Sequence, residues 1–124
     1  MNYRSPLSKA KGLGSAGAGA HHWKVQRITS VALVPLTLWF VFAISSLDVF
    51  AYDAFVEWLS RPWVPVLLTL FFGTAYYHAS LGIQVVVEDY VHNELARHAL
   101  VIGIRLLLML MAASTIVSIL LTAL

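Results

Sequence analysis

Three apolar runs, each close to the length that crosses a bilayer, constrain this chain more than anything else in it. They extend from about Ile28 to Leu47, from about Val64 to Val87 and from about Ala99 to Leu124. About 20 predominantly apolar residues in helical form are enough to span a hydrocarbon core about 30 Å thick. A soluble alternative fails on composition: 60% of the 124 residues are hydrophobic and 11% charged, and so short a chain has too little interior to hide that many apolar side chains from water. The expected fold is therefore all-α and integral to the membrane, with three transmembrane helices. Residues 1–26 are expected to form an N-terminal segment and residues 27–124 the three-helix domain.

The stretch before the first run, MNYRSPLSKAKGLGSAGAGAHHWKVQ, is rich in Gly, Ala, Ser and Lys and is predicted to be extended or loosely helical. Its small residues precede the apolar run, whereas a cleaved secretory signal carries them behind it, so the segment is expected to stay attached. Gly12, Gly14 and Gly17 match the spacing of a dinucleotide-binding loop, but no strand precedes them and no βαβ unit can follow. Arg4, Lys9, Lys11, Lys24 and Arg27 all precede the first span, while the first loop offers only Arg61. By the positive-inside rule the N-terminus is cytoplasmic and, with three spans, the C-terminus lies on the opposite face. The basic cluster reads as a topology signal, so no nucleic-acid partner is expected.

Two connections remain. DVFAYDAFVEWLSRPW, between the first two spans, has room for a short surface helix and carries Tyr52, Trp58 and Trp63 as expected interfacial aromatics. EDYVHNELARH, between the second and third, reads as a polar turn joining antiparallel helices. Pro35 is expected to kink the first span.

Chemistry concentrates around His78, an ionisable side chain that stands about 13 Å inside the second span and close to the midplane of the core. Such a group is a functional candidate by default. With cysteine absent, thiolate zinc sites, iron–sulfur ligation and covalent c-type haem are excluded. Two readings fit His78: an axial ligand of a b-type haem, which needs no cysteine, or a histidine hydrogen-bonded to a neighbouring helix.

Gly82 and Asp89 fall within about 40° of His78 on a helical wheel. Gly82 either admits a flat macrocycle or simply lets a helix approach. Tyr90, beside Asp89 at the cytoplasmic interface, is either a hydrogen-bond donor to a quinone carbonyl or an aromatic-belt residue. Arg27 either pairs with an anionic propionate or quinone head or snorkels as a topology marker. His21 and His22 are adjacent and cannot share a helix face for a two-histidine metal site. No nucleophile–base pair or phosphate loop is present, so the chain is not expected to be a complete enzyme alone.

HASLGIQVVVEDYV, from His78 to Val91, and GLGSAGAGAHHWKVQRITSVALVPL, from Gly12 to Leu36, together resemble the D-type hydrophobic membrane anchors of succinate dehydrogenase, in the alphaproteobacterial and mitochondrial style. The resemblance covers nearly the whole chain. It implies a subunit of respiratory complex II in the inner (cytoplasmic) membrane, bundled with a C-type cytochrome b anchor and carrying a flavoprotein and an iron–sulfur subunit. By position it makes His78 a ligand of a haem b shared with the C-type anchor, places Arg27 and Gly82 at that cofactor, and puts Tyr90 and Asp89 at the site where ubiquinone takes up two electrons and two protons. A cofactor-free structural anchor and the anchor of a related quinol:fumarate reductase are the alternatives.

Overall fold

The computed structural model describes residues 14–48 and 50–124. Within them the order of elements is α1 (Gly14–Ser45), α2 (Tyr52–Leu59), α3 (Trp63–Tyr90) and α4 (Glu94–Ala123). Three of these helices are long and apolar enough to cross a membrane: Gly19–Ser45, Trp63–Tyr90 and Glu94–Ala123. The all-α architecture with three spans is as the sequence predicts. At 1.5 Å per residue the 28 residues of α3 measure about 42 Å, more than the hydrocarbon core needs, so both helix ends reach the headgroup layers.

Boundaries differ from expectation at two places. The segment predicted to be extended or loosely helical is helical from Gly14 onward and continues into the first span without a break, through Pro35 to Ser45. Alanine, the best helix former, alternates with glycine there, and a helix already nucleated in the span propagates at little cost. Arg4, Lys9, Lys11 and Gly12 lie outside the described residues. The expected turn over EDYVHNELARH contracts to Val91–Asn93, with the acids before it in α3 and NELARH belonging to α4. Asn93 caps α4 by accepting a hydrogen bond from the Ala96 amide at 3.0 Å.

α3 is the spine: it packs along α1 on one side and α4 on the other, while α1 and α4 scarcely meet. The well-packed core sits at the α2 end, where Trp58, Leu59, Val64, Leu68 and Ile119 are buried and Trp39, Phe40, Ile44, Phe55 and Phe72 close around them. Trp58, expected as an interfacial aromatic, is instead 5% exposed. The reason is the amphipathic pattern of α2: Phe55, Trp58 and Leu59 share a face at i, i+3, i+4 and turn inward, leaving Asp53 and Glu57 exposed. Trp39 stacks on Trp58 at 6.4 Å between ring centroids, and Phe40 stacks on Phe71 at 4.6 Å. Tyr76 ties α3 to α4 through a 3.2 Å hydrogen bond with Thr115.

Outside this core much of the surface of the spans is bare. Ile28, Val31, Val34, Leu38 and Phe42 on α1 and Leu106, Leu107, Leu110 and Leu121 on α4 are all more than half exposed within the chain, which suits side chains that face lipid or another membrane helix.

Candidate functional site

His78 stands near the middle of α3, half-buried against α1. Its Nδ1 lies 2.8 Å from the Thr29 hydroxyl, which is itself 2.9 Å from the Val25 carbonyl and 3.0 Å from the Gln26 carbonyl. Thr29 is 9% exposed, the buried polar residue among those described. A hydrogen bond to a neighbouring helix is thus realised at Nδ1. Nε2 has no hydrogen-bond partner among the described residues, and the ring lines a groove of about 380 Å³ with Ser30, Leu33, Val34, Thr37 and Leu38 of α1.

Thr29 belongs to a polar seam on α1, since His22, Gln26 and Thr29 recur at helical spacing on one face. Gly82 receives this seam: a Cβ built on it would stand 3.7 Å from Gln26 Nε2, an ordinary contact. Gly82 therefore faces α1, and the space beside it is taken by a side-chain amide. Further along, His22 Nε2 and Gln26 Oε1 are buried without partners among the described residues. Unpaired polar atoms away from water are costly, so these two leave hydrogen-bonding capacity for a group outside the described residues. His21 is exposed while His22 is half-buried, as expected for adjacent residues on different faces.

The other residues singled out in the sequence do not converge on His78 within this chain. Arg27 is exposed and its guanidinium lies 5.2 Å from the centroid of the Trp23 ring, a cation–π contact. On the helical wheel it stands about 60° from Ser30 and one turn nearer the N-terminus, so it flanks the end of the His78 groove. Asp89 and Tyr90 end α3, both exposed, Tyr90 at 80%. Their side chains are open to whatever docks on that end of the bundle.

A second polar group has no counterpart in the sequence reading. Arg105 of α4 donates to Gln84 of α3 at 2.7 Å, and Gln84 donates onward to Glu88 at 2.8 Å. The signal was available: an arginine and a glutamine inside facing arms of a helical hairpin are expensive in lipid unless they pair. Among the described residues no group of three or more His, Cys, Asp or Glu side chains could enclose a metal ion. A haem makes a smaller demand of this chain, one imidazole nitrogen and an apolar wall, and His78 with its groove fits that.

Residues 1–120 match the family described as succinate dehydrogenase/fumarate reductase transmembrane subunit. The chain is similar to the succinate dehydrogenase hydrophobic membrane anchor subunit of Rickettsia bellii, 38% identical over 95% of this chain and 94% of the relative. It is likewise similar to that of Rickettsia conorii, at 32% over 85% and 84%, and to that of Paracoccus denitrificans, at 27% over 84% and 81%. With three spans, a histidine at mid-span and a match over almost its full length, this chain belongs to the succinate dehydrogenase/fumarate reductase transmembrane subunit family.

Proposed function

We propose that the chain anchors a succinate:quinone oxidoreductase in the inner membrane, that His78 would hold a b-type haem shared with a second, C-type anchor, and that Tyr90 and Asp89 form part of the quinone-reduction site. The observation that carries the haem assignment is the state of His78: one ring nitrogen is held by Thr29 and the other is unengaged at an apolar groove. A neutral imidazole in that condition is a good haem ligand. Bound there, the haem supplies one-electron redox capacity within the membrane.

The chain's own residues supply the rest. Arg27, flanking the groove and free of carboxylate partners among the described residues, offers a fixed fork of donors to a propionate. Tyr90 and Asp89 are exposed at the end of α3, where a phenol can donate to a quinone carbonyl and a carboxylate can pass a proton from the aqueous side. That face is where an iron–sulfur subunit, with a flavoprotein beyond it, would dock and supply the electrons from succinate. The N-terminus is cytoplasmic in this arrangement, which places Tyr90 on the cytoplasmic side with it.

The test is His78→Ala in the purified native complex. Haem is expected to be lost or its spectrum strongly altered, while succinate oxidation by an artificial acceptor that draws electrons ahead of the quinone persists. An assembled complex with an unaltered bis-histidine spectrum would leave the cofactor-free anchor as the better reading. The anchor of a fumarate reductase differs only in direction, which the quinone potential and the partner subunits set.

A further inference from the structure

We infer that Thr29 is a positioning residue for His78: its hydroxyl fixes the imidazole in the tautomer that carries the proton on Nδ1, and so keeps the Nε2 lone pair available to a metal centre. This rests on the haem reading above and adds to it a residue on a different helix. The argument is one of proton count. A threonine hydroxyl has a single proton, and Thr29 Oγ1 has three neighbours within hydrogen-bond range: the Val25 carbonyl at 2.9 Å, the Gln26 carbonyl at 3.0 Å and His78 Nδ1 at 2.8 Å. A carbonyl oxygen can only accept, whereas an imidazole nitrogen can donate or accept depending on tautomer.

Two arrangements are possible. In the first, the hydroxyl donates to a carbonyl of its own helix and accepts from Nδ1–H, making two hydrogen bonds and leaving Nε2 with a lone pair. In the second, the hydroxyl donates to Nδ1, its carbonyl bond is forfeited, and Nε2 carries the hydrogen. Thr29 is buried and stands in a membrane span, where water does not compensate a lost bond, so the first arrangement holds. The geometry is also stiff. A β-branched side chain has few χ1 options in a helix, and back-bonding to α1 ties the acceptor oxygen to the backbone, so ring orientation and tautomer are both set before a metal arrives. A partner of this kind on the remote nitrogen is what orients ligand histidines in general, and its removal typically costs 10–100-fold in metal affinity.

The experiment compares complexes purified whole from membranes. Thr29→Val and Thr29→Ala remove the hydroxyl, one at nearly constant shape and one without any risk of a clash. Thr29→Ser keeps it, and His78→Ala tests the ligand itself. Haem per assembled complex and the haem midpoint potential are measured, with artificial-acceptor succinate oxidation reporting integrity. Valine and alanine are expected to weaken haem retention by about 10–100-fold and to move the potential, and serine to restore both. Full haem at the native potential in Thr29→Val or Thr29→Ala, with His78→Ala haem-free, overturns the role of Thr29 and leaves the haem reading standing. An unaltered spectrum in His78→Ala removes both.

Discussion

At the scale of single residues, the chain splits its chemistry between groups it holds and groups it offers. His78 is held by Thr29 on the facing helix. Tyr90 is offered, at 80% exposure with no hydrogen bond to its phenol among the described residues. Tyr90→Phe deletes only that donor. If Tyr90 donates to a quinone as proposed, losing that hydrogen bond is expected to cost about 1–3 kcal/mol, roughly tenfold or more in quinone-reductase efficiency. The measurement is steady-state quinone reduction beside haem content, with the first expected to fall and the second to hold; wild-type rate and affinity would return Tyr90 to the aromatic belt. His78 could be read from sequence because an ionisable group in an apolar run is rare. Thr29 could not, because a threonine in a span back-bonds to its own helix as a matter of course, and nothing linear says that its oxygen also meets a ring 49 positions away.

Among the elements, the short helix α2 supplies two of the five buried residues of the core at its end of the molecule. Its inward face supplies Trp58 and Leu59 to the core, with Phe55 and Trp39 against the Trp58 ring. Trp58→Ala removes a large buried ring, for which about 3–5 kcal/mol is the usual cost in a protein core. The complex is therefore expected to melt at a lower temperature in detergent. The haem spectrum should stay unchanged, since His78 stands about 15 Å along α3 from Leu68, at the edge of that core. A variant as thermostable as the parent would mean that partner contacts, not this cluster, hold the α2 end. The spans themselves were legible because an apolar run of bilayer length admits few other readings. The start of α1 was not, since a Gly/Ala/Ser stretch has no apolar period to mark a helix and becomes one here by extension of its neighbour. The burial of α2 was hidden for a related reason: tryptophan suits both a membrane interface and a core, and only its i, i+3, i+4 companions distinguish them.

For the whole molecule, the proposed orientation puts the N-terminal side of α1 in the cytoplasm, on the ground that Lys24 and Arg27 stand just before the apolar run that opens at Ile28. Reporter fusions after Ala51, Asn93 and Leu124 are expected to place Asn93 in the cytoplasm and the other two in the periplasm; the inverse pattern would move Tyr90 away from the side where soluble partners dock. Family and anchor role follow from the whole chain, whereas the proposed cofactor assignments rest on a few side chains. α3 packs between α1 and α4, which close together on the aromatic core at the α2 end but otherwise scarcely meet, and a polar seam joins α1 to α3 near His78. Away from that core α1 and α4 do not seal an axis between them. A neighbouring subunit can therefore come alongside from within the plane of the bilayer and complete the histidine end without prying any pair of helices apart; what it displaces is lipid.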